Sequence, residues 1–249
     1  MPEKRASLPL RLDEVWRGLV EDHDHGPLPG ILVVLTCVAG AVDALSILRL
    51  DHVFVANITG NIIFIGLALV GARGYSITAP LIGLAGFLVG AAAAGARVPR
   101  SLTHRGRAAH AAVVVQLVDL ALATCMFAAS PHPGTAMRDA LLVVLAVGMG
   151  AKSALVRAVG VPGLTTSVFT STLTGLAATA SGGAWRSPGF AVRIIATLAL
   201  LVGAVISAVL ALKTYPWCSL AFATALLVPT VLWSRAAAHS TATWATPRT

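Results

Sequence analysis

Eight apolar stretches punctuate the chain, at residues 30–50, 53–71, 77–96, 108–129, 140–161, 164–180, 190–212 and 217–233. Short polar or charged connections separate them. About 20 apolar residues wound as a helix cross a bilayer, so the pattern predicts six to eight crossings in an all-α polytopic membrane protein. Residues 1–27 read as a polar cytoplasmic tail with a short amphipathic stretch near 8–20. Residues 28–235 read as a single transmembrane domain, and 236–249, rich in Ala, Thr and Ser, as a disordered cytoplasmic tail.

Two of the eight stretches are chemically unlike the rest. The 53–71 stretch carries Asn57, Thr59, Gly60 and Asn61 in its first half. The 164–180 stretch has eight hydroxyl side chains in 17 positions, among them Thr165, Thr166, Thr170 and Thr172. Backbone that departs from a helix at membrane depth is tolerated only where protein or a water-filled cavity surrounds it, and polar side chains there satisfy the freed groups. Loop charges point the same way. If all eight stretches cross from a cytoplasmic N-terminus, inside and outside hold ten and seven Lys/Arg, and the basic 97–107 loop falls outside. If the second and sixth stretches enter and leave by one face, the division becomes thirteen inside and four outside, with Lys152 left out of both counts. The positive-inside rule therefore favours six transmembrane helices plus two re-entrant or broken ones, over eight full spans.

Composition agrees with the pattern. The chain is 57% hydrophobic and 11% charged, less than half the charge of an ordinary soluble domain; soluble, disordered, collagen-like and disulfide-framework classes are excluded. A net charge of +8 in a soluble protein would suggest nucleic acid. Here the basic residues sit in short loops and read as topology determinants and lipid-headgroup contacts, so no nucleic-acid partner is expected. Cys37, Cys125 and Cys218 have no metal-like spacing. Residues 1–27 are acidic, lack an apolar core and do not read as a signal peptide. Asp22-His23-Asp24-His25 reads as a solvated linker rather than a metal site.

The two halves share a pattern. Ala39-Gly40-Ala41-Val42-Asp43-Ala44-Leu45 aligns with Met149-Gly150-Ala151-Lys152-Ser153-Ala154-Leu155, and one insertion later Ile58-Thr59 meets Phe169-Thr170. Each half (about 30–130 and 138–235) reads as span, polar broken segment, span, span. Three crossings per half invert the second copy, and inverted repeats with discontinuous helices are a transporter architecture.

Candidate chemistry lies inside the apolar stretches. An ionised Asp43 in the first span costs at least ~2.5–3.5 kcal/mol unless it meets a partner or a cavity. Lys152 lies one position before the repeat counterpart of Asp43, so an Asp43–Lys152 pair is expected. Gln116 and Asp119 lie close to one turn apart on the fourth crossing and read as a helix–helix hydrogen bond. Gly86-x-x-x-Gly90 reads as close packing within the chain, with a homo-oligomer interface as the alternative. Enzyme signatures are missing: no Gly-x-Ser-x-Gly, His-Glu-x-x-His or phosphate-binding loop occurs. No enzyme activity, cofactor or metal is expected.

Val38-Ala39-Gly40-Ala41-Val42-Asp43-Ala44, followed by Val53-Phe54-Val55-Ala56-Asn57-Ile58-Thr59-Gly60-Asn61, resembles the signature of the YoaK-like family of bacterial integral membrane proteins. Gly148-Met149-Gly150-Ala151 with Ala154-Leu155-Val156-Arg157, then Pro162-Gly163-Leu164-Thr165-Thr166 and Thr170-Ser171-Thr172-Leu173-Thr174-Gly175, resembles its second signature. The likeness covers residues 30–235. It implies an inner-membrane protein of about six spans, of a family defined as a domain of unknown function. Family members often carry Gln-Asn where this chain has Lys152-Ser153.

The expectation is a multi-pass protein of the bacterial inner membrane with both termini cytoplasmic. It would act as a secondary transporter or channel-like protein for a small polar solute or ion. Asp43, Asn57, Thr59, Asn61, Lys152, Ser153, Thr165, Thr166, Thr170 and Thr172 would line the site. A non-transporting scaffold or assembly protein is the alternative, and a membrane-embedded enzyme the third reading. A water-accessible cavity at mid-depth would favour transport, and a dry, fully paired polar cluster a scaffold.

Overall fold

The computed structural model describes residues 24–96, 104–161 and 188–246, with 18, 19, 21, 22 and 174 in addition. Seven α-helices form among them: α1 (Leu28–Arg49), α2 (Gly60–Leu69), α3 (Thr78–Gly95), α4 (Arg105–Ala129), α5 (Thr135–Val159), α6 (Pro188–Lys213) and α7 (Trp217–Ala238). All but α2 are long and apolar enough to cross a membrane. At 10 residues, α2 is about 15 Å long, half of a hydrocarbon core of roughly 30 Å. The protein is an all-α polytopic membrane protein. Large apolar side chains such as Ile62 and Ile63 of α2, Leu88 of α3, Leu201 of α6 and Leu232 of α7 are exposed, as a bilayer-facing surface requires.

The ends of the helices fix the sense of each span. Arg105, at the start of α4, donates to the carbonyls of Val159 and Gly160 at the end of α5, of Asp24 before α1, and of Trp244 after α7. These four chain ends therefore lie at one face of the bundle. Arg49, ending α1, donates to Ala211 near the end of α6, so those ends share the opposite face. Consequently α1 and α6 leave the Arg105 face, whereas α5 and α7 return to it. Between the starts of α1 and α4 the chain crosses by α1 and returns by α3. The 53–71 stretch adds no crossing.

Packing groups the spans in pairs. The most extensive contacts are α3 with α5, α1 with α6, and α4 with α7; α4 with α5 and α1 with α7 follow. Backbone approaches backbone where the sequence removes a Cβ. A Cβ on Gly90 would strike the carbonyl of Val147, and one on Gly150 that of Phe87; a Cβ on Gly40 would strike Leu200, and one on Gly203 would strike Cys37. The Gly86-x-x-x-Gly90 stripe thus serves packing within the chain, against α5. From the shared faces set by Arg105 and Arg49, α1 and α6 run parallel to each other, as do α3 and α5 in the opposite sense, while α4 and α7 are antiparallel.

Beyond 235, where composition suggests disorder, α7 continues to Ala238 and a 3-10 turn forms at Thr243–Ala245. Trp244 is the reason: its ring packs on the apolar core and occupies the space beside Gly26, while its carbonyl accepts from Arg105.

Candidate functional site

The polar cluster is built where α1 stops and α2 has not begun. Leu50 is followed by Asp51 and His52, both in the left-handed region with φ of 71° and 55°. Asp and His are among the residues that tolerate this conformation. The side chain of Asp51 accepts from Ser76 Oγ at 2.6 Å. A run of rings, His52–Tyr75, Tyr75–Phe64 and Phe64–Phe54, with centroids 5.5–5.7 Å apart, ties this corner to α2 and to the approach to α3.

Residues 53–57 then run without helical hydrogen bonds, and three buried side chains replace them. Asp43 Oδ1 accepts from the N–H groups of Val55 at 2.9 Å and Ala56 at 2.7 Å. Its Oδ2 accepts from the N–H of Asn57 at 3.0 Å and from Asn57 Nδ2 at 2.6 Å. Asn61 accepts from the N–H of Phe54 at 2.8 Å and donates to its carbonyl at 2.7 Å. Ser46 donates to the carbonyl of Val53 at 2.7 Å. A buried amide without a partner costs several kcal/mol in hydrocarbon; here every N–H from 54 to 57 is held. Two glycines make room: a Cβ on Gly60 would enter the Phe54 ring, and one on Gly83 would press on Asn61 Nδ2.

A second polar group lies across α4 and α5. Lys152 is 1% exposed, Gln116 0% and Asp119 8%. Gln116 Nε2 donates to Asp119 Oδ2 at 3.3 Å. The charge of Lys152 acts on both Asp43 and Asp119. Counted from the Arg105 face at the helical rise, Asp43 and Asp119 both lie about 21–22 Å deep. Lys152 has its Cα about 10 Å deep, with a long side chain that leans toward the N-terminal, deeper end of α5. Three charged side chains from three spans thus share one neighbourhood inside the bundle.

Of the residues expected at the site, Asp43, Asn57 and Asn61 are brought together on the broken backbone, with Lys152 in electrostatic reach. Thr59 is exposed at the start of α2, and its side chain makes no cap hydrogen bond. Ser153 is half-buried one position beyond Lys152. Thr165, Thr166, Thr170 and Thr172 lie outside the described residues. Sequence reasoning passed over Ser46, gave Gly148 no site role, and read Gln116 and Asp119 as a helix–helix hydrogen bond, whereas the bond found joins the two within α4. The available signal was a buried acid within one turn of an amide on a membrane helix.

Among the described residues, six spans, one half-length helix and an interior set of ionisable side chains define a multi-pass integral membrane protein. A family profile described as "Protein of unknown function (DUF1275)" matches residues 31–233, and the chain belongs to that family. It is also similar to the UPF0700 transmembrane protein YoaK of Bacillus subtilis (strain 168), 29% identical over 153 residues, which cover 61% of this chain and 67% of the relative. No solved structure matches the chain.

Proposed function

We propose that the protein is a secondary transporter or channel-like protein of the bacterial inner membrane, passing a small polar solute or ion, with both termini cytoplasmic and no enzymatic step. The observation that carries this reading is the convergence of Asp43, Asp119 and Lys152 from α1, α4 and α5, deep among apolar residues and beside a broken backbone. Ionisable residues inside a membrane bundle are expensive and mark ion or solute pathways by default. The helix pairing supports an inverted repeat. Exchanging α1 with α5, α3 with α6 and α4 with α7 turns the parallel α1·α6 pair into α5·α3, which runs the opposite way, and maps the antiparallel α4·α7 pair onto itself. Broken helices in inverted repeats place transport sites near mid-depth.

One observation favours the second reading, a non-transporting scaffold. Both oxygens of Asp43 and both polar atoms of Asn61 are already engaged by protein groups. A thermal-shift screen of the purified protein against ions and small metabolites, followed by flux of each stabilising compound into proteoliposomes, separates the two. Transport requires at least one stabilising compound whose flux is saturable. Stabilisation without flux, or no stabilisation by any compound, leaves the scaffold. For orientation, single cysteines at positions 104 and 240 should both label only from the cytoplasm. His104 Nε2 and the carbonyl of Ser240 lie 2.8 Å apart, which supports labelling of both positions from the same side.

A further inference from the structure

Among the described residues, one buried acceptor is unused. Gln116 Oε1 is sealed from solvent and has no hydrogen-bond partner, while the other end of the same amide donates to Asp119. Asp119 is packed over bare backbone at Gly148, where a Cβ would fall on its carboxyl group. The buried charged side chains among the described residues are Asp43, Asp119 and Lys152, two acids and one base. Asp43 is held as the anion by geometry. Each of its oxygens accepts two N–H groups, and a proton on either would face a donor. With one ammonium between them, the second carboxyl group carries the surplus negative charge unless it takes a proton.

We propose that Asp119 is an exchangeable proton-carrying site and that Gln116 is its positioning residue, serving both states. In the ionised state Gln116 Nε2 donates to the carboxylate, as seen here. When hydronium delivers a proton, an O–H bond forms on Asp119 and water leaves; a half-turn of the amide then presents Oε1 to accept from that O–H. The amide oxygen that is orphaned in one state is satisfied in the other. The surroundings suit a proton better than a metal cation. Among the described residues no three His, Cys, Asp or Glu side chains gather to hold a metal, and the Lys152 ammonium would repel a cation.

Of the helices packed against α4, α5 carries Arg138, Asp139, Lys152 and Arg157, and α1 carries Cys37, Asp43 and Arg49. Of these, Lys152 bears electrostatically on both Asp119 and Asp43. α7 carries only Cys218 and Arg235, and Arg235 acts on His110, nine residues from Asp119 toward the Arg105 end. The Thr243–Ala245 turn has no titratable side chain. The use of this proton in coupling rests on the transport reading above, whereas its existence does not.

An infrared pH titration of the full chain in phosphatidylcholine nanodiscs, in sodium-free buffer, tests the inference. The wild type should show a carboxylic-acid carbonyl band that is lost on alkalinisation. Asp119→Asn should lack that band, and Asp119→Glu should keep it at a shifted frequency. A band unchanged in Asp119→Asn, or no titrating band in the wild type, overturns the proposal. If Asp119→Asn fails to fold, Asp119→Glu decides: an unmoved band overturns it. Loss of the band on adding sodium chloride at fixed pH would assign the site to a metal cation and also overturn it. A titrating band without solute flux sinks transport alone; solute flux without a titrating band sinks the proton site alone.

Discussion

Gly148 of α5 and Asp119 of α4 interlock, the carboxyl group of the acid lying in the space that any Cβ at position 148 would need. That relationship places a polar side chain against the backbone of a neighbouring span and leaves no freedom for a larger residue. Gly148→Ala should therefore displace Asp119 and separate α4 from α5 locally. Overpacking of this kind costs about 1–3 kcal/mol, to be read as a lowered unfolding midpoint in detergent. Gly134→Ala, where a Cβ would meet nothing, is the control and should be close to neutral.

Asp43 replaces the helical hydrogen bonds that residues 55–57 lack. Asp43→Ala would strand three backbone N–H groups. At ~1–3 kcal/mol for each unsatisfied buried donor, the variant should be severely destabilised or fail to accumulate. Asp43→Asn keeps one acceptor oxygen and should lie between alanine and wild type. Hydrogen exchange at residues 55–57 reads the effect directly; unchanged protection in Asp43→Asn would mean that the carboxylate does not hold this segment.

Lys152 balances charge for two acids. Lys152→Met should leave the Asp43 carboxylate uncompensated, and Asp119 as well wherever it is ionised, at a cost of roughly 3–5 kcal/mol. Adding Asp119→Asn to Lys152→Met removes one of the stranded charges and should recover part of that loss. The same cycle with Asp43→Asn should recover less, because Asp43 is needed for the backbone at 55–57 whatever its charge. Strict additivity in the Asp119 cycle, measured by denaturant titration, would show that the two side chains do not interact.

Arg105 gathers carbonyls from three chain ends. Arg105→Ala should release the Thr243–Ala245 turn and the segment before α1 together, at a cost of about 2 kcal/mol for charge-assisted bonds that are partly exposed. Limited proteolysis should then cut near residues 240–246 well before it cuts in α7. Arg105→Lys should behave nearly like alanine, since one ammonium cannot reproduce the spread of a guanidinium fork.

Much of this was legible beforehand because the bilayer enforces a single simple rule. Apolar runs near 20 residues became spans, with ends close to those expected. The exception among the described residues, 53–71, was marked by Asn57 and Asn61: two amides within five residues have no use on an unbroken lipid-facing helix. The repeat alignment set Lys152 one position before the counterpart of Asp43, and both side chains are buried. What could not be read is how Asp43 is used. Its partners are backbone N–H groups, which every residue carries and no sequence pattern displays. Nor do apolar runs tell which helix lies on which. The partner of Gly148 is a side chain on another span, and the site role of Asp119 and Gln116 depends on that contact. Trp244 was lost for a related reason: one aromatic ring anchored a tail whose average composition suggested disorder.

The pairing of α1 with α6 and of α3 with α5 bears on how the chain is made. When synthesis has delivered everything up to Ala129, neither α1 nor α3 yet has its principal neighbour. α6 and α5 have not emerged, and α4 likewise lacks α7. The early helices must wait in lipid with Asp43 and Asp119 already inserted and Lys152 still to come. The broken segment, whose hydrogen bonds come from α1 itself and from Asn61, is by contrast complete at once. Maturation is thus an interlocking of two mutually dependent halves rather than the docking of two finished ones, and a chain cut between α4 and α5 should yield fragments that persist only when both are produced in the same membrane.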